Sequence, residues 1–185
     1  MLIGLISDTH GSLCNWEKAL KIFDEFGCEK IVHLGDYLYH GPRNPLPECY
    51  DPLKLAESIR SNKGKIYFVK GNCDADIDID LLETQPASYL IEEFNGYRFL
   101  FTHGYDPDIQ TAIKIAEREK AVVMIHGHTH IYRIDKMNQL FVMNPGSVSL
   151  PKNDNPKTIG IIDISENLKL KVIDLEKHVL KEVSI

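Results

Sequence analysis

Five short apolar runs, residues 2–6, 31–34, 66–69, 99–101 and 122–125, each stop at a group of metal-type side chains. The groups are Asp8-Thr9-His10, Gly35-Asp36, Gly71-Asn72-Cys73-Asp74, His103-Gly104 and Gly127-His128-Thr129-His130. The runs are rich in branched and aromatic residues, as buried strands are. In open α/β sheets the carboxyl ends of the strands form the edge where loops converge and ligands bind. Seven candidate metal ligands, Asp8, His10, Asp36, Asn72, His103, His128 and His130, are therefore expected to meet at one edge.

The intervening segments alternate with these strands. Trp16, Ala19, Leu20, Phe23 and Phe26 recur at helical spacing over residues 15–26, and Gly27 is a natural stop. Asp51-Pro52 opens a second helix carrying Leu53, Leu55, Ala56 and Ile59. Strand, helix, strand, helix, strand predicts parallel strands joined by right-handed crossovers. Beyond Gly71 the texture changes, because residues 89–93 and 97–102 flank Asn95-Gly96, a strong hairpin signal. Asp106-Pro107-Asp108 then starts a helix through Glu119, and residues 131–137, 140–144, 158–164 and 168–175 read as an antiparallel meander. The expectation is one domain, residues 1–185, of mixed α/β (α+β) class, with two stacked sheets and helices outside.

Composition excludes several classes. The net charge is −6 and no Lys or Arg cluster offers a face for duplex nucleic acid. No apolar run approaches the ~20 residues of a membrane span. The apolar stretch before Ser7-Asp8 is too short for the core of a secretion signal. Cys14, Cys28, Cys49 and Cys73 show no C-x-x-C pair, so free thiols and a reducing, cytoplasmic compartment are expected.

A mixed oxygen and nitrogen donor set suits manganese, iron, cobalt, nickel or zinc better than magnesium or calcium. Two divalent ions held together can activate water, orient a phosphate and neutralise charge on the attacking and leaving oxygens. Asp36, in a glycine-flanked turn, is placed to bridge them. Asp8/His10 and His128/His130 are two residues apart, and extended backbone points such pairs to one side.

The ordered set of motifs resembles the calcineurin-like metallophosphoesterase superfamily across essentially the whole chain. The segments 35–44 and Asn144-Pro145-Gly146-Ser147-Val148-Ser149 are most similar to the YfcE-type bacterial phosphodiesterases. The resemblance implies a four-layer αββα sandwich and two metal sites. One is Asp8, His10, Asp36 and His130; the other is Asp36, Asn72, His103 and His128. It implies manganese as activator, a small phosphodiester as substrate, in-line attack by a hydroxide between the ions, and a homo-oligomer, dimer or tetramer. Many members of the wider superfamily carry a histidine directly after the metal-binding asparagine, where this chain has Cys73. A thiol titrates near ~8.5 against ~6.5 for imidazole and has no cationic form. A diester monoanion needs less neutralisation than a monoester dianion, so diesterase activity is expected to exceed monoesterase activity. The alternatives are a phosphomonoesterase on the same site and a non-catalytic protein-binding scaffold like the retromer subunit Vps29.

Other residues carry two readings each. His40 and Arg43 lie in the Pro-rich loop of residues 37–50, either reaching a substrate phosphate or serving as scaffold. Cys73 is either close to the ions or a small filler in a tight turn. His126 either supports the ligands or packs before the Gly127 turn, and Asn144-Pro145-Gly146 is either part of the site or only a turn. His33 reads as core packing.

Overall fold

The computed structural model describes residues 1–185 and alternates strand and helix as its hydrophobic periods dictate. In chain order the elements are β1 (Leu2–Ile6), α1 (Leu13–Phe26), β2 (Lys30–His33), α2 (Pro52–Asn62), β3 (Ile66–Phe68), α3 (Asp76–Leu82), β4 (Tyr89–Phe94) and β5 (Tyr97–Thr102). They continue as α4 (Ile109–Arg118), β6 (Val123–Ile125), β7 (Arg133–Met137), β8 (Leu140–Asn144), β9 (Thr158–Asp163), β10 (Lys169–Asp174) and β11 (Val179–Ser184). No helix is long and apolar enough to cross a membrane.

Two mixed sheets result, ordered β11-β10-β9-β1-β2-β3 and β4-β5-β6-β8-β7. In the first, β1, β2 and β3 are parallel, and β9 is antiparallel to β1. In the second, β5, β6 and β8 are parallel. Side chains alternate between faces and separate the molecule into layers. Ile6, Ile31 and Ile161 pack with Trp16 and Phe23 of α1 and Leu55 and Ile59 of α2. Ile3, Leu5 and Val32, on the opposite face, pack with Phe99, Phe101, Val123 and Ile125 of the second sheet. Leu100, Met124 and Val142 then turn outward onto Ala112, Ile113 and Ala116 of α4. The architecture is the expected four-layer αββα sandwich. Trp16 is fully buried, and its Nε1–H donates to Ser58 Oγ at 2.9 Å, tying α1 to α2.

Three expectations need correction. The segments read as a meander divide between the sheets: β7 and β8 form a hairpin with β8 parallel to β6, while β9 and β10 join the first sheet beside β1. Both faces of β9 are buried, and such a pattern does not say which sheet a strand belongs to. Residues 145–157 make the crossing, over the edge that carries the site. The C-terminal stretch adds a strand, β11, on the rim.

Cys14 and Cys49 form a disulfide, with Cα atoms 5.7 Å apart, leaving Cys28 and Cys73 as free thiols. Local bonds bring them together: Leu13 N–H donates to Cys49 O at 3.1 Å and Ser12 Oγ to Glu48 O at 2.7 Å. Cysteine spacing is blind to pairs that the fold juxtaposes, and the reducing compartment inferred from it loses that support.

The extended backbone expected between Asp8 and His10, and between His128 and His130, is also absent. Their φ angles are +56°, +47°, +67° and +60°, and Asp36 has +58°. Left-handed backbone at a non-glycine residue costs on the order of 1 kcal/mol, and such residues gather at functional sites. The chain reverses at each of these positions, and the reversal, rather than strand alternation, aims the side chains inward.

Candidate metal centre

Each motif occupies the turn that leaves a parallel strand, and the carboxyl ends of β1, β2, β3, β5 and β6 share one edge. Asp8 N–H donates to Gly35 O at 3.1 Å and His10 N–H to Asp36 O at 3.0 Å, so the first two turns lie against each other. Gly127 N–H donates to His103 O at 3.0 Å, and His128 N–H to Asp8 Oδ2 at 3.2 Å, which joins the two sheets at the site. Only glycine fits at two of these contacts. A Cβ on Gly71 would overlap the Asp36 carboxylate and backbone nitrogen, and one on Gly127 would overlap Ser7 Oγ.

The side chains converge in two groups sharing Asp36. His130 Nε2 is 3.3 Å from Asp8 Oδ1 and 3.3 Å from His10 Nε2. Asp36 Oδ2 lies 3.6 Å from His10 Nε2 on one side and 3.5 Å from His103 Nε2 on the other. His103 Nε2 also lies 3.0 Å from Asn72 Oδ1, and the His128 ring stands edge-on to His103 with centroids 5.1 Å apart. Asp8, His10, Asp36 and His130 are buried, with donor atoms all within 4.8 Å of one another.

This arrangement fits divalent cations. The Nδ1 atoms of His10, His103 and His130 lie 2.7, 2.7 and 2.5 Å from the carbonyls of Tyr39, Leu34 and Leu150. Each Nδ1 therefore carries the proton and each Nε2 presents a lone pair inward. Two such lone pairs, on His10 and His130, face each other, and Asp8 Oδ1 is buried without a hydrogen-bond donor. A cation among these atoms satisfies all of them. Burial alone would raise the Asp8 and Asp36 carboxyls; the surrounding imidazoles, His130 for Asp8 and His103 for Asp36, hold both below the usual range instead. Burial opposes charge on His103 as well, but the Asp36 carboxylate raises it to about 9, so the carboxylates favour a positive charge at its Nε2, a position that a proton and a metal cation would occupy in turn.

A layer of buried polar groups supports the turns. Asp74 accepts from Asp36 N at 2.9 Å and Gly71 N at 2.6 Å through Oδ2, and from Tyr37 N at 2.8 Å through Oδ1. Burial and the neighbouring Asp36 push its carboxyl up to about 7 against those three bonds. Ser147 and Ser149 hydroxyls both donate to Asp8 O, at 2.9 and 2.8 Å, which sets the segment after β8 against the site. Asn144 Nδ2 donates to Gly127 O at 2.7 Å, and His126 Nδ1 lies 3.0 Å from the same oxygen. His126 thus packs on the Gly127 turn.

His33 does more than pack. Gly35 N–H donates to its Nδ1 at 3.2 Å, so the ring proton sits on Nε2, 3.0 Å from Thr9 Oγ1, and Thr9 donates onward to Tyr37 O at 2.9 Å. Burial drives its pKa from 6.5 down to about 3. The neutral ring contributes stability that is complete above pH 6.5 and is lost as pH falls toward 3. In urea unfolding, the stability advantage of wild type over His33→Asn is expected to shrink by about 1.4 kcal/mol per pH unit below 6. Parallel pH profiles would contradict this.

A cleft of about 400 Å³ opens above the cluster, lined by His10, Asn72, Cys73 and His128 together with Arg43 and Lys152. Burial and Asp36 push the Cys73 thiol up to about 12. His40 is not part of this lining. The chain turns at Gly41, which faces Cys73, while the His40 ring packs edge-on to Tyr39 and Tyr50. Lys152 and Asp74 went unremarked as functional candidates in the sequence: Lys152 sits in a Pro- and Asn-rich stretch with no periodic signal, and Asp74 shares a motif with more conspicuous ligands.

The calcineurin-like phosphoesterase superfamily domain matches residues 1–167. The phosphodiesterase YfcE of Escherichia coli strain K12 is 38% identical over 191 residues, an overlap covering 100% of this chain and 98% of YfcE. A solved structure of the E. coli phosphoesterase YfcE superposes with a TM-score of 0.87 at 34% identity, covering 100% of both chains. Vacuolar protein sorting 29 from Cryptosporidium parvum shares the fold at a TM-score of 0.70 and 17% identity, over 100% of this chain and 98% of that one. A full set of metal-type residues at one sheet edge, a four-layer sandwich around it and a family match over most of the sequence agree: the chain belongs to the calcineurin-like phosphoesterase superfamily.

Proposed function

We propose that the chain is a manganese-dependent phosphodiesterase acting on a small phosphodiester, with residues 1–185 working as one domain. Asp8, His10, Asp36 and His130 would hold one ion, and Asp36, Asn72, His103 and His128 the other. The observation that carries the reading is the place of Asp36 Oδ2, 3.6 Å from His10 Nε2 and 3.5 Å from His103 Nε2, between the two donor groups. When bound, a pair of divalent ions makes water nucleophilic near neutral pH and offsets charge on the reacting oxygens.

The protein's own part is to hold this geometry. Carbonyl bonds fix the tautomers of His10, His103 and His130, and Asp74 fixes the turns bearing Asp36 and Asn72. Arg43 offers a planar, bidentate donor for a substrate anion in the cleft. Cys73, directly after Asn72, supplies no cation of its own at the scissile phosphate, which favours a singly charged diester over a doubly charged monoester at that position. His40 contributes through the loop, its carbonyl accepting from Asn44 Nδ2 at 2.8 Å.

The test is hydrolysis of bis(4-nitrophenyl) phosphate and 4-nitrophenyl phosphate by metal-stripped protein, titrated with manganese, magnesium, zinc and nickel. Metal-restored turnover, greatest with manganese and with kcat/KM higher for the diester, is expected. A monoester preference would move the assignment to a phosphatase. Silence with every ion would favour a scaffold.

A further inference from the structure

Asn72 divides the opening above the metal centre into two arms, since it lines both the cleft with Arg43 and Lys152 and a second recess with Lys70, Tyr105 and Asp106. The arms differ in charge. Lys70 is engaged by Asp76 at 3.4 Å, and its recess also holds Asp106 above the buried Asp74. Lys157, which lines neither arm, is held at 2.6 Å by Glu48, a residue of the same loop as Arg43. Arg43 and Lys152, by contrast, have neither an ion-pair partner nor a side-chain hydrogen bond, although both stand on ordered turns. Lys152 N–H donates to His130 O at 3.2 Å, and its carbonyl accepts from Asn155 Nδ2 at 2.7 Å. Arg43 lies within the turn closed by Asn44 N–H on Gly41 O at 3.4 Å.

Two divalent ions set against Asp8 and Asp36 would leave two positive charges, which a hydroxide and a phosphodiester monoanion together neutralise. Two further free cations on one side only are surplus to the scissile group. We infer that Arg43 and Lys152 form a second anion subsite, and that the substrate is a phosphodiester carrying an additional phosphate on the ester group that enters this arm. The inference rests on the phosphodiesterase reading above. The guanidinium presents a planar fork and the ammonium a mobile point charge, a pairing suited to a terminal phosphate. The mixed charge of the Tyr105 arm directs the uncharged ester group there.

Two aryl diesters test this: thymidine 5′-(4-nitrophenyl phosphate) and its 3′-phosphorylated counterpart, which share the scissile bond and the leaving group. The 3′-phosphorylated compound is expected to show about tenfold higher kcat/KM, the scale of one charge-assisted hydrogen bond. That preference is expected to vanish in Lys152→Gln and to survive in Lys152→Arg. Equal kcat/KM in wild type, or a preference that persists in Lys152→Gln, would overturn the subsite while leaving the phosphodiesterase reading intact. If neither diester is turned over, that reading fails, and binding decides the subsite. On manganese-loaded protein, calorimetry should then show thymidine 3′,5′-bisphosphate bound about tenfold more tightly than thymidine 5′-phosphate, with the difference lost in Lys152→Gln. Equal affinities would overturn it.

Discussion

Asp36→Asn is expected to abolish metal-dependent turnover, by about 10³-fold or more, and to lower the metal content below two ions per chain. The reason lies in the two faces of this carboxylate. Oδ1 accepts from Cys73 N–H at 2.8 Å, while Oδ2 faces His10 and His103. An asparagine has only one acceptor oxygen. Turning that oxygen to Cys73 aims an amide NH2 into the metal centre, and turning it inward sets NH2 against a backbone N–H. Either way the shared anion is gone. The substitution is nearly isosteric, so circular dichroism of the metal-free variant should match wild type, separating loss of the site from loss of the fold. A variant that keeps two ions and most of its activity would show that Asp36 does not bridge.

The second large effect falls on a residue outside the ligand set. Asp74→Ala is expected to reduce unfolding free energy by about 3–5 kcal/mol, because three buried backbone N–H groups, of Asp36, Tyr37 and Gly71, lose their acceptor. Asp74→Asn should cost less, about 1–3 kcal/mol, since its one oxygen can serve the Asp36 and Gly71 groups that now share Oδ2, while its NH2 opposes Tyr37 N–H. Urea unfolding measures both. Metal affinity should fall with stability, as the same bonds lock the turns bearing Asp36 and Asn72. An alanine variant no less stable than a typical surface substitution would contradict this.

The sequence was most informative where chemistry and period coincide. Apolar runs ending in Asp, Asn and His located the strand ends, and the alternation after β1 predicted the parallel part of the first sheet. The meander was misread because β9, buried on both faces, has no polar side to mark its sheet. Residues 76–82 alternate Asp with Ile and Leu, a period of two, yet fold as α3. Packing of Leu82 into the first core and about two turns of helix outweigh that pattern. The left-handed backbone at Asp8, His10, Asp36, His128 and His130 was hidden for a related reason. Asp and His tolerate this backbone better than most side chains, but what holds Asp8 and His10 in it is contact with the Gly35-Asp36 turn and, for Asp8, the Ser147 and Ser149 hydroxyls, which sequence spacing does not show. The Cys14–Cys49 pairing and the approach of Lys152 to the cleft likewise arise only when distant loops meet.

If the Asp36 carboxylate joins two metal sites, electron paramagnetic resonance of manganese-loaded protein will show it. Two ions bridged by Asp36 predict uptake of two manganese ions per chain and the multiline spectrum of an exchange-coupled pair, replaced in Asp36→Asn by isolated-ion signals. Saturation at a single ion, or two ions per wild-type chain giving only the six-line pattern of uncoupled manganese, would rule out a bridging Asp36.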